Sequence, residues 1–145
     1  MKMKNFNFIK LNSLDFELES NTTETGRTYI TPTGNIYPSV TTVLSQYSKA
    51  GIEKWRKRVG EEEADKICRM AANRGTNLHL MCEDYLNNKI SPMKMKMALP
   101  YTKFFFNQIR PIIDNCVGNV YGLEQPLYSD ELKVAGRCDC IAEWE

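Results

Sequence analysis

The side chains able to do chemistry fall at three places along the chain. His79 and Glu83 are four residues apart, so on a helix both leave from one face and can meet one metal ion or one water. Glu124 and Asp139 lie in later segments that alternate like strands, and neighbouring antiparallel strands can bring two carboxylates to one cation. Gly136, three residues before Asp139, removes a side chain where another backbone or a ligand needs to approach. Together His79, Glu124 and Asp139 form a hard-oxygen set with one imidazole, which suits Mg²⁺ or Mn²⁺ better than zinc. Each also has a plainer reading: a surface His–Glu pair, an exposed strand residue at Glu124, and the outward face of an edge strand at Asp139.

A polyanion would need donors. Ser39 and Thr41 at one helix start, and Arg74 and Thr76 at another, are candidates because free backbone N–H groups converge at helix N-termini. Ser39 and Thr76 can equally be simple caps. Lys54, Arg56, Lys57 and Arg58 form a basic cluster beside Trp55, able to grip phosphates and stack a base, or else to form the solvated face of a helix whose core stripe holds the Trp.

The elements that must position these residues follow from pattern. Residues 1–26 read as a weakly ordered segment or edge strand, and 27–42 as a hairpin turning at Pro32-Thr33-Gly34-Asn35. Residues 43–116 form a helical section. Ser39 caps its first helix, with Val43, Leu44 and Tyr47 inward; Ile52, Trp55 and Val59 recur at helical spacing, as do Ala64, Ile67, Cys68 and Ala71. Gly75 is expected to break the chain there and Thr76 to cap the next helix, whose apolar side is Leu78, Met81, Cys82, Tyr85 and Leu86. Ser91 to Met97 reads as a loop, and Phe104, Phe105, Ile109 and Ile112 as one face of a helix kinked by Pro111. Residues 117–145 supply two antiparallel core strands around Ser129-Asp130-Glu131. The expected fold is α/β: an N-terminal hairpin, a helical section, then the first antiparallel strands of an incomplete mixed central sheet, in a single domain over 1–145.

Composition sets bounds on this. Nineteen basic against 18 acidic residues leave no global field for a polyanion, so any such site is local. Five cysteines without a C-x-x-C pair, and one histidine, exclude a zinc module and suggest reduced, mostly buried thiols in a cytoplasmic protein. No stretch is long and apolar enough to span a bilayer, and the basic start MKMKNFNFIK lacks the apolar run of a secretory signal.

The order of motifs resembles a known family. Arg74 to Leu86 (R-G-T-x-x-H-x-x-x-E-x-Y-L), Glu124 to Tyr128 (E-x-P-L-Y) and Gly136 to Asp139 (G-x-x-D) resemble the RecB-type branch of the PD-(D/E)XK nucleases. Tyr37 to Leu44 (Y-P-S-V-T-T-V-L) is similar to phage exonucleases of the mitochondrial genome maintenance type. The resemblance implies Mg²⁺- or Mn²⁺-dependent DNA exonuclease activity in a phage-infected or bacterial cytoplasm, on DNA that is single-stranded or has ends. It assigns the metal to His79 and Asp139, with Glu124 in the catalytic set.

In that family a D-x-K or E-x-K on the next strand completes the site, and no such pair follows Asp139 in these 145 residues. Lys133 and Lys103 are stand-ins by residue type but not by strand position. The expectation is therefore a chain inactive alone and complemented by a C-terminal polypeptide carrying D-x-K. Its rivals are an inactive truncated remnant and a small helical module for DNA binding or protein interaction.

Overall fold

The computed structural model describes residues 3–145 and has the mixed α/β composition expected from the patterns, with antiparallel strands before and after a helical section. Its contacts gather into two compact units.

The first unit comprises the described residues up to Ile9 together with Glu62–Leu123 and Cys140–Glu145. It holds helices α2 (Glu61–Leu86), α3 (Pro92–Met97) and α4 (Pro100–Cys116), and parts of strands β4 (Val117–Ser129) and β5 (Val134–Trp144). Its core is Phe6, Met81, Tyr85, Leu86, Ile90, Phe106, Ile113, Val117 and Val120. The ring of Tyr85 meets those of Phe6 and Phe106 edge-on at 5.5 and 5.3 Å, the arrangement favoured by aromatic quadrupoles. Within this core the Tyr85 hydroxyl donates to Asp114 Oδ1 at 2.6 Å and accepts from Arg110 Nε at 3.2 Å. Burial, and then the Asp114 hydrogen bond, push the Tyr85 phenol above its usual range. The N-terminal segment is tied in by backbone: Val120 N–H donates to Asn7 and Ile9 N–H to Val120, forming a parallel bridge at Phe8.

The second unit comprises Lys10–Glu61 and Glu124–Asp139. Strands β1 (Glu19–Thr23), β2 (Gly26–Ile30) and β3 (Ile36–Pro38) form an antiparallel sheet, with Ile30 opposite Ile36 across the expected turn. Leu18, Tyr29, Tyr37 and Ala135 make its small core. Helix α1 (Val40–Val59) follows β3 directly, and Gly60 ends it with φ +93. Gly26 has φ +130, and a Cβ there would lie 2.4 Å from Thr42 Cγ2, so only glycine lets β2 pass the first turn of α1.

Several expectations about the helices fail. Gly75 does not break the chain: α2 runs through it unbroken for 26 residues, because one interior glycine costs about 1 kcal/mol and a long helix absorbs that. The Ser91 to Met97 stretch is helix α3, with Pro92 at its start and the Ser91 hydroxyl accepting from Lys94 N–H. The helix faces are also misassigned. Leu44 and Tyr47 are 58% and 85% exposed, Ile67 and Cys68 are exposed, and α4 buries Thr102, Phe106, Arg110 and Ile113 rather than Phe104, Phe105 and Ile112. The cysteines are half-buried or exposed rather than mostly buried.

Candidate functional site

Strands β4 and β5 are joined by a turn at 130–133. Glu124 lies five residues before the end of β4 and Asp139 five after the start of β5, so a hairpin places them opposite one another. Their carboxylate oxygens approach within 4.8 Å. Asp139 is exposed and Glu124 half-buried, so water reaches the pair.

Glu124 has φ +50 inside a strand. A non-glycine residue in this left-handed region costs about 1–2 kcal/mol. The surrounding chain holds it there. Gln125 Nε2 donates to the Leu14 carbonyl at 2.7 Å, and the buried Pro126 keeps Gln125 extended.

Ser39 caps α1 as its sequence context predicts. Its oxygen accepts from Thr42 N–H at 3.0 Å and shares hydrogen bonds with the Thr41 and Thr42 hydroxyls. Its own N–H donates to Arg27 O at 2.8 Å, and it bridges Ala135 of β5 in parallel. The start of α1 is thereby fixed to both β2 and β5.

Between these elements lies a cleft of about 620 Å³, lined among others by Arg27, Ser39, Thr41, Glu124, Tyr128 and Arg137. Gly136 also lines it, and a Cβ there would be in ordinary contact with Val40 at 3.7 Å, so the position has room for one.

His79 is half-buried on α2 in the first unit, one turn before Glu83 on the same side of that helix. Between them in sequence, Cys82 has its thiol pushed up by burial. Arg74 and Thr76 are exposed in the interior of α2. No helix begins there, so the free N–H groups invoked for a phosphate site at that point do not exist; they are bonded to the preceding turn. Lys133 lies in the exposed turn between β4 and β5, and Lys103 on α4 donates to the Lys96 carbonyl at 2.6 Å. Neither is on a strand beside Asp139.

No family model, curated protein or solved structure matches this chain. The chemistry of the site therefore rests on its own residues. Sequence reasoning missed Arg27 and Arg137 in the cleft. A signal for Arg137 was present: it precedes Asp139 by two, so both occupy one face of β5 and both are exposed, while Cys138 and Cys140 between and beyond are half-buried. Arg27 had no such signal, because only tertiary folding brings β2 to this cleft. Glu124 lines this cleft with guanidiniums and hydroxyls and has the Asp139 carboxylate within 4.8 Å, a set that can hold a hard cation beside an anionic oxygen.

Proposed function

We propose that this chain carries part of the active site of a divalent-metal-dependent DNA exonuclease. The observation that supports it most is the approach of the Glu124 and Asp139 carboxylates within 4.8 Å, with Glu124 lining a cleft that also contains arginines. Two carboxylates at that separation, in water's reach, fit the oxygen preference of Mg²⁺ or Mn²⁺. His79 is a ligand in this proposal by its place in the motif order alone.

A bound divalent cation supplies Lewis-acid polarisation of the scissile phosphate and a more acidic water. The chain's own residues do the rest of what is present here. Glu124 and Asp139 hold the charge in place, and the strained backbone at Glu124 keeps its carboxylate turned toward Asp139 without reorganisation. No D-x-K follows Asp139 in these residues, and in this proposal a complementing polypeptide supplies that acid and lysine. Strand β5, which pairs with β4 and is bridged by Ser39 at Ala135, is the element beside which it would lie.

Mn²⁺ titration by calorimetry tests the pair directly. Asp139→Asn and Glu124→Gln are each expected to weaken binding at least tenfold, while Glu62→Gln on α2 leaves it unchanged. Equal affinity in all three would remove the metal site. DNA hydrolysis is expected only when a polypeptide carrying the D-x-K strand is added; robust digestion by these residues alone would show that a lysine already present completes the site.

A further inference from the structure

The cleft of the second unit contains more positive charge than a cation site calls for. Arg27 extends from β2 and donates through Nε to the Thr22 hydroxyl at 3.2 Å, and it pairs with no carboxylate among the described residues. Arg137, on β5, has Glu17 at 3.9 Å, but Glu17 is largely in solvent and the Arg137 side chain about half, so the pair is long and contributes little. The two guanidiniums therefore keep N–H groups available for a further anion.

The rest of the wall suits a phosphodiester. Thr41 is exposed at the first turn of α1, its hydroxyl linked to that of the buried Ser39, so its orientation is set before any ligand arrives. Tyr128 lines the same cleft, steadied edge-on by Phe16 at 5.3 Å, and presents a face on which a base can stack. A cleft of about 620 Å³ has the size of a site for one or two nucleotide units, not of a groove for a duplex.

We infer that Arg27 and Arg137, with the Thr41 hydroxyl, seat an internal phosphodiester of single-stranded DNA beside Glu124. The inference deepens the proposed nuclease reading and rests on it for the identity of the polymer. It also moves the phosphate contacts away from Arg74 and Thr76, to residues of a different unit. A planar guanidinium binds a phosphate through two parallel N–H donors, so lysine is a poor substitute at either position.

The experiment measures anisotropy of a labelled oligothymidylate in EDTA, so that metal binding plays no part. Arg27→Ala and Arg137→Ala are each expected to weaken binding about five- to tenfold, and to make the slope of log affinity against log salt shallower by about 0.7 per lost contact. Lysine at either position restores the slope but not the full affinity. Arg74→Ala is expected to bind like the parent. Circular dichroism confirms that each variant is folded. Oligonucleotides with and without a 5′-phosphate should bind equally, and a requirement for the terminal phosphate would overturn an internal seat. Parent-like binding by both folded alanine variants, or an equal loss in Arg74→Ala, would overturn the assignment. Because the Mn²⁺ titration does not use DNA, failure of the phosphodiester seat and failure of the metal pair are read separately.

Discussion

Replacing Glu124 by asparagine is expected to make the metal-free protein more stable while removing its affinity for Mn²⁺. Glu124 holds φ +50, and asparagine enters that left-handed region at lower cost, so the change recovers about 1 kcal/mol of strain. That is about 2–4 °C in Tm for a chain of this size. The assay is thermal unfolding in EDTA and again with Mn²⁺. In EDTA Glu124→Asn melts above the parent; with Mn²⁺ the parent rises, because ligand binding favours the folded state, and the variant does not. A variant that melts lower in EDTA, or that gains as much from Mn²⁺ as the parent, would refute the idea that this backbone is held strained for the sake of a ligand.

Gly26→Ala is expected to destabilise the protein by about 2–4 kcal/mol, since the new Cβ would meet Thr42 at 2.4 Å and φ is +130; urea unfolding measures it. Tyr85→Phe removes a hydroxyl bonded to Asp114 and to the buried Arg110, and is expected to cost about 1–3 kcal/mol in the same assay. Glu143 is held below its usual value of 4.5 by hydrogen bonds from the Tyr121 hydroxyl and then from Asn119. A lowered folded-state pKa stabilises above the unfolded value and ceases to do so as pH falls through the folded one. The urea midpoint of the parent is therefore expected to decline below about pH 4.5 more steeply than that of Glu143→Gln, and parallel curves would count against it.

Much of the local structure was legible because it is set by neighbours in sequence. Pro32 to Asn35 make the turn, Ser39 caps α1, and Gly60 ends it, each through bonds spanning only a few residues. The helix faces were not, because periodicity shows that an apolar stripe exists without showing which of two stripes meets the core. On α4 the series Thr102, Phe106, Arg110 and Ile113 is as regular as Phe105, Ile109 and Ile112, and a buried arginine argues against the correct one. Arg110 is tolerated only because Asp114 and Tyr85 bond to it, a fact of packing. The approach of Glu124 to Asp139 was legible from the two strands that hold them. The left-handed backbone at Glu124 was not, since nothing in Leu-Glu-Gln-Pro demands it.

Helix α2 has its buried residues unevenly spread: Ala64 near its start, then Met81, Tyr85 and Leu86 in its last two turns. At 1.5 Å per residue it is about 39 Å long, and over the middle of that length its order depends on its own ladder of backbone bonds. Amide hydrogen exchange should therefore be graded along one continuous helix. Protons of the last two turns should be released only when the first unit's core unfolds, while those around Met70 to Gly75 escape through local openings of far lower free energy. A single element would then belong to two classes of stability, and limited proteolysis would cut it in the middle while the Tyr85 end remains folded.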